Sequence, residues 1–161
     1  LGDSMEEQKS RVNDYEEFLG QTLGEALLEL TRIYVKPVME MLDSGIDLKA
    51  MVHITSGGFC NLNRVECDNI RFVIDTLQPV PEIFNLIQDR GGVSEAEMFE
   101  VFNMGTGFCL VVEGTNEVEA VTEICKNNDL SCQLIGQVEG CQGKEISLPQ
   151  KQLTGKGSRF T

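Results

Sequence analysis

Short apolar runs that are typical of strands alternate along this chain with segments of helical periodicity, and this alternation limits the fold more than any other feature. The clearest strand is GFCLVVE at residues 107–113, which a helical pattern follows over 116–127. Further strands are predicted at 49–55, 71–76, 132–138 and 144–148. Strands interleaved with helices are typical of α/β and α+β folds. The sequence therefore predicts a mixed β-sheet covered by helices.

Helices are predicted where apolar residues recur every three to four positions. Ser94 and Glu97 have the spacing of a capping box, the reciprocal pairing that satisfies free N–H groups at a helix start, so residues 95–102 should be helical. Other predicted helices run from Met5 to Gly20, over 35–42, after the prolines at 79 and 81, and over 116–127 with Thr115 as cap. Residues 1–149 are expected to form one domain, and the polar stretch 150–161 a mobile tail.

The charge balance argues against one class of partner. The chain has 13 Lys and Arg residues against 26 Asp and Glu, a net charge of −13 at pH 7. Because a surface that binds a polyanion must be positive, no nucleic acid partner is expected. The sequence shows neither a membrane-spanning run nor a secretory signal, which predicts a soluble cytoplasmic protein without a membrane partner. Its six scattered cysteines do not have the spacing of a zinc site, so we expect reduced thiols and no protein metal site.

The strongest local feature is the run HITSGGF at residues 53–59, where a predicted buried strand ends in a polar turn. Gly57 and Gly58 would let backbone N–H groups approach an anion, and Thr55 and Ser56 add hydroxyl donors. The spacing matches neither GxGxxG nor GxxxxGK[ST]. The residues alone therefore leave two interpretations open, a phosphate cradle and an ordinary strand-end turn, and the ordinary turn is the commoner case.

His53 is the only histidine, and it also has two interpretations. Its imidazole could donate to a phosphate or move a proton beside it, or it could be a satisfied histidine on a sheet face. A second glycine turn, NMGTG at residues 103–107, brings Asn103 and Gly105 into the candidate set, although a plain connecting turn is the favoured interpretation. Arg32 and Arg64 are the cations placed closest in sequence to offset a phosphate.

Six motifs appear in the same order as in a known family. They are TRIYVKPV (31–38), HITSGGF (53–59), NLNRV (61–65), PVPEIF (79–84), GGVSEAEMFEVFNMGTGF (91–108) and IGQV (135–138). The chain resembles the carboxyl-terminal half of phosphoribosylformylglycinamidine cyclo-ligase, also called aminoimidazole ribonucleotide synthetase. The resemblance runs from about residue 23 to residue 138.

The resemblance implies a fold like that family's carboxyl-terminal domain, distantly ferredoxin-like, and an activity in purine synthesis. The family closes the ring of formylglycinamidine ribonucleotide: ATP phosphorylates an amide oxygen, the amidine nitrogen attacks, and phosphate leaves. It uses Mg²⁺, acts as a homodimer, and builds its active site between two halves. The missing amino-terminal domain would be the partner, and this chain alone would be inactive. His53 would be catalytic, and Thr55, Ser56, Gly57, Gly58, Arg32, Arg64, Asn103 and Gly105 would bind phosphate or nucleotide substrate.

The chain departs from the family pattern at three places. Ser56 replaces the first glycine of the usual HITGGG, which would restrict the backbone if that position needs a positive φ. Residues 60–64 read CNLNR instead of a Glu-Asn-Leu-Pro-Arg run, and Leu30 replaces a proline. These departures keep a second function open: a non-catalytic domain that binds a nucleotide or a partner protein on the same scaffold.

Overall fold

This computed structural model describes residues 4–161, which contain six α-helices and nine strands. The helices are α1 (Met5–Val12), α2 (Leu23–Leu27), α3 (Val35–Asp43), α4 (Glu82–Gly91), α5 (Glu95–Val101) and α6 (Thr115–Asn127). The strands are β1 (Tyr15–Glu16), β2 (Gln21–Thr22), β3 (Leu48–His53), β4 (Ile70–Ile74), β5 (Phe108–Val112), β6 (Gly136–Gly140), β7 (Lys144–Leu148), β8 (Leu153–Lys156) and β9 (Arg159–Phe160). Two 3₁₀ helices span Gly58–Arg64 and Pro149–Lys151. None of the helices within residues 4–161 is long and apolar enough to cross a membrane.

The largest sheet is mixed, as the sequence predicts. Its strand order is β6-β4-β7-β8-β9, with β4 and β7 parallel and the other neighbouring pairs antiparallel. Two smaller antiparallel pairs lie outside it: β1 with β2, and β3 with β5. The prediction of helices combined with a mixed sheet is confirmed, but β3 and β5 form a sheet of their own.

Apolar side chains collect in two clusters, and the larger one includes residues of both the five-stranded sheet and the β3–β5 pair. The main cluster joins the five-stranded sheet to the first 3₁₀ helix and α5, and Phe59, Phe99 and Ile146 are almost fully buried in it. The smaller cluster packs α3 against α6 through Met41, Val121 and Cys125. The main cluster thus fixes the turn that follows β3, because that turn leads directly into the 3₁₀ helix.

The amino-terminal helix is shorter than its periodicity predicts. It ends at Val12 rather than at Gly20, because the following residues pair as β1 and β2, and a complete capping box of Thr22 and Glu25 then starts a new helix, α2. Between the two helices, the nearly buried Glu16 carboxylate accepts a hydrogen bond of 2.8 Å from Arg90 of α4, and its other oxygen lies 2.7 Å from the second guanidinium nitrogen. This contact is distant in sequence, so helical spacing alone could not reveal it.

Residues 150–161, expected to be a mobile polar tail, instead complete the five-stranded sheet. The β8 strand pairs with β7, and Thr154 and Thr161 exchange backbone hydrogen bonds of 2.8 and 2.9 Å. Phe160 is 5% exposed, and its N–H donates to the Glu100 carboxylate of α5 at 2.7 Å. The expectation was wrong because backbone pairing and one buried aromatic ring order a segment whose composition is polar.

A charged network links three strands of this sheet. Glu145 of β7 accepts from the Arg71 side chain of β4, and the Lys156 ammonium of β8 lies 3.4 Å from its second oxygen. The Glu145 side chain is only 12% exposed. Hydrogen bonding from Arg71, assisted by Lys156, lowers the pKa of this carboxyl below its ordinary value.

We expect the Glu145→Gln variant to lose part of the acid sensitivity of folding. Because the folded pKa of Glu145 is lowered, its contribution to stability is full above about pH 4.3, the usual glutamate pKa, and is lost as the pH falls through the folded value. The variant should be less stable than the wild type at neutral pH and should approach it at low pH. Urea unfolding from about pH 7 down to about pH 3 measures this difference. Glu119→Gln on the exposed side of α6 is the control, and an equal response in both variants would contradict the assignment.

Candidate functional site

His53 lies at the end of β3 with its side chain in solvent. Its neighbours Val52 and Ile54 are 7% and 1% exposed and belong to the main core cluster. Because successive side chains of a strand point to opposite faces, burial of these two turns the imidazole outward. The imidazole is therefore accessible from solvent, as a role in binding or proton transfer requires.

The turn after β3 exposes hydroxyls and bends at its glycines. Thr55 and Ser56 are exposed, and the positive φ angles fall on Gly57 (102°) and Gly58 (49°). Ser56 is not among the residues with positive φ, so the serine that replaces a family glycine causes no backbone strain. This departure leaves the turn conformation intact.

Gly58 is fixed by close contact with α5. A Cβ atom built on Gly58 would lie 2.1 Å from the Phe99 carbonyl oxygen and 2.8 Å from that of Phe102. Side-chain atoms cannot approach backbone oxygen so closely, so only glycine fits here. Since Asn103 follows Phe102 directly, the two glycine turns of the sequence lie next to each other in the fold.

The buried Asn61 side chain anchors the first glycine turn by hydrogen bonds to its backbone carbonyls. It is 1% exposed, and its Nδ2 lies 2.9 Å from the Gly58 carbonyl, 3.2 Å from that of Thr55 and 3.4 Å from that of Ser56. Its Oδ1 has no hydrogen-bond partner and would be 3.4 Å from a Cβ on Gly57. Sequence reasoning missed this role, although an asparagine that stays polar within the apolar run FCNL was a signal.

Replacing Asn61 with alanine should lower the free energy of unfolding by about 2–3 kcal/mol, because buried carbonyls lose their donor and a small cavity forms. Asn63→Ala is the matched control, since its Nδ2 donates one bond, to the more exposed Gly157 carbonyl at 2.8 Å. We expect the control to lose less than about 1 kcal/mol. Chemical denaturation measures both, and equal losses would argue against a special anchoring role for Asn61.

Two aromatic rings flank His53. The Tyr34 ring stacks on Phe108 with centroids 5.0 Å apart, and each ring lies 5.8 Å from the imidazole. Burial raises the pKa of the Tyr34 hydroxyl, so it stays protonated at neutral pH. The sequence analysis did not select these residues. Phe108 could have been found by pairing the two predicted strands, since it is the register partner of His53.

The other predicted site residues lie around this turn at different depths. Arg64 is exposed and ends the 3₁₀ helix that begins at Gly58. Arg32 is 68% exposed, 3.8 Å from Glu29, and close enough to influence Tyr34 electrostatically. Asn103 Oδ1 accepts from the Gly105 N–H at 3.0 Å, and Gly105 packs against Pro79 and Pro81. The structure thus exposes His53, Thr55 and Ser56 of the run 53–58 and buries Ile54 and Gly58. Both arginines are exposed, and neither forms a hydrogen bond or ion pair with the turn within the described part of the chain.

Among the described residues, no group of three His, Cys, Asp or Glu side chains converges on a common point. All six cysteines are free thiols. The Gly58 N–H, predicted to bind phosphate, already donates to the Thr55 carbonyl at 2.9 Å. The chemistry available at the turn is therefore that of one imidazole, two hydroxyls and the Gly57 N–H. Such donors suit phosphate oxygens better than a metal ion.

Comparison with known proteins agrees on one family. The family described as AIR synthase related protein, C-terminal domain, matches residues 2–148. Three proteins named phosphoribosylformylglycinamidine cyclo-ligase are similar to this chain. The one from Bacillus licheniformis is 46% identical over 123 residues, 75% of this chain and 35% of that protein. The one from Methanocaldococcus jannaschii is 43% identical over 132 residues, 81% and 37% of the two lengths, and the one from Alkaliphilus metalliredigens is 41% identical over 150 residues, 91% and 42%. The chain thus spans well under half the length of these relatives.

Proposed function

This chain belongs to the AIR synthase related protein family through its C-terminal domain, and from that membership we propose that it is the carboxyl-terminal half of an ATP-dependent cyclo-ligase. The reaction converts formylglycinamidine ribonucleotide to aminoimidazole ribonucleotide, ADP and phosphate in cytoplasmic purine synthesis. The observation that carries the proposal is the exposed His53 at the end of β3, followed at once by an open turn of hydroxyl and glycine residues.

The residues of the turn suit the charge that moves in this reaction. ATP, when bound, supplies the phosphoryl group that makes the amide oxygen a better leaving group. Phosphate oxygens would be held by the Thr55 and Ser56 hydroxyls and the Gly57 N–H. His53 would donate to the reacting phosphate or exchange a proton with the amide. Arg32 and Arg64 would offset charge that a chain of net charge −13 otherwise repels.

Magnesium does not fit a site made by these residues alone. Mg²⁺ is usually held by one or two carboxylates together with substrate phosphates, and residues 53–58 include no Asp or Glu. No step through the metal is therefore assigned to this chain. Any carboxylate ligands would have to come from outside the surface at residues 53–58.

A preceding domain would complete the cleft. Exposed apolar side chains concentrate between α2 and α3, with Leu28 80%, Leu30 86% and Ile33 77% exposed. Exposed apolar surface of this kind marks a contact surface, and the relatives contain enough additional sequence for another domain. We assign this segment to the contact with that domain. The same domain would supply the homodimer contact, and the chain without it would be inactive.

The function is tested by complementation of a strain that requires purines because it lacks the cyclo-ligase. The gene that contains this chain, in its natural length, should restore growth without added purine. Purified protein should release ADP and form aminoimidazole ribonucleotide from the ribonucleotide substrate. Good expression without growth or turnover would favour the other function, a binding domain that has kept the scaffold and lost catalysis.

A further inference from the structure

A cavity of about 160 Å³ is lined by Tyr34 and Phe108, the two rings that flank His53, but not by His53 itself. It is bounded by β5, α3, α6 and the segment 130–136. Within the described structure β5 pairs with β3 alone, and four of its five residues line this space. The glycine turn at 53–58 contributes nothing to the lining.

The cavity is lined by buried apolar side chains at its inner end, the floor, and by exposed side chains at its rim. Met41, Val121 and Cys125 form part of the floor and are 0%, 5% and 7% exposed. Gln133 and Leu134 line the same cavity and are exposed, and Leu134 keeps 62% of its surface in water. This gradient of burial gives a small molecule a route from solvent to an apolar interior.

The lining carries no charge, although the chain has a net charge of −13. None of the lining residues is Asp, Glu, Lys, Arg or His. Burial raises the pKa of both the Cys109 and the Cys125 thiols to about 12, so both stay neutral at pH 7. An ion entering this space would lose its hydration without gaining a partner, which selects uncharged ligands and excludes a nucleotide phosphate.

One polar group in the lining is unsatisfied. Thr106, from the second glycine turn, is 7% exposed, and its Oγ1 has no hydrogen-bond partner. Its N–H already donates to the Asn103 carbonyl at 2.8 Å, so the backbone of the turn is occupied. A buried hydroxyl without a partner is unfavourable, and a ligand atom that paired with it would remove that penalty.

We propose that this cavity binds a compact uncharged ring compound that carries one hydrogen-bonding group directed at the Thr106 hydroxyl. The volume fits a single ring, since an engineered apolar cavity of about 150 Å³ binds benzene. The hydroxyl sets the orientation, and the apolar floor supplies the affinity. This site does not depend on the cyclo-ligase function, and its test does not measure turnover.

The test compares phenol with toluene, which have the same number of non-hydrogen atoms and differ in one hydroxyl. Titration calorimetry or ligand-observed NMR on the protein in its natural length should give saturable binding at one site per chain, with a Kd for phenol on the order of 1 mM. Phenol should bind more tightly than toluene. Thr106→Val should weaken phenol binding by about 5–10-fold and leave toluene within about twofold.

Thr122→Val is the matched control, because Thr122 lines the same cavity but its hydroxyl already donates to the Val118 carbonyl at 2.7 Å. It should change the affinity for either probe by less than about twofold. Val121→Phe should fill the floor and abolish binding of both probes, which keeps the test decisive if Thr106→Val does not fold. The absence of saturable binding to the wild type, or equal effects of the two threonine variants on phenol, would overturn the proposal.

Discussion

Replacing Gly58 with alanine is expected to lower the free energy of unfolding by more than about 4 kcal/mol, or to prevent folding altogether. The added methyl group would lie 2.1 Å from the Phe99 carbonyl oxygen, well inside van der Waals contact, and the neighbour is backbone that cannot rotate away. The substitution also places a side chain at a φ of 49°. Relief would require α5 to move away from the first 3₁₀ helix, which would open the main core cluster.

The Gly92→Ala variant separates the steric clash of an added methyl group from the strain of a side chain at positive φ. Gly92 ends α4 with a φ of 60°, and a Cβ there would meet nothing within 4 Å. The Gly92→Ala variant should therefore lose about 1–2 kcal/mol of unfolding free energy, from backbone strain alone. Urea unfolding of the two variants measures the difference, and a Gly58→Ala protein as stable as Gly92→Ala would show that α5 does not press on the turn.

Periodic segments could be predicted from the sequence because their pattern is local. The strand at β5 and the helices α3 and α5 were predicted within one or two residues, since alternation, helical spacing and the Ser94 cap all act over a few positions. The same local signals misplaced the strand predicted at 132–138, because Asp75 and Thr76 both donate to the Ile135 carbonyl and shift the pairing to Gly136–Gly140.

The position of the candidate site along the chain could be predicted, but the burial of its residues could not. The run HITSGGF identified the turn, but nothing local shows that His53 is exposed while Gly58 is buried against a helix that begins more than thirty residues later. The Tyr34 ring also reaches His53 from another element, across 19 positions of sequence. These contacts depend on how the elements pack, which spacing does not encode.

Asn61 is a second residue whose role the sequence pattern did not reveal. The family resemblance drew attention to the residues lost around it, Cys60 and Asn63, whereas the structure gives the supporting role to the asparagine that is kept. The turn therefore keeps its anchor and its positive φ glycines despite the substitutions.

His53→Ala in the natural-length protein should lower kcat by about 10²–10⁴, the range in which general acid and base catalysis usually contributes. The imidazole is exposed and meets Tyr34 and Phe108 only at ring distances of 5.8 Å, so its removal should not disturb folding. Met51→Ala is the matched control. It lies two residues earlier on the same face of β3, is 48% exposed, and should leave kcat unchanged.

His53→Gln distinguishes the two roles proposed for this residue. A glutamine amide can donate a hydrogen bond to a phosphate oxygen but cannot exchange a proton near neutral pH. If His53 acts by donation, the glutamine variant should recover most of the turnover that alanine loses. If it transfers a proton, both variants should be equally slow, with KM nearly unchanged. Turnover at the wild-type rate in His53→Ala, measured as ADP release beside the Met51→Ala control, would remove His53 from the reaction and leave the turn only a structural role.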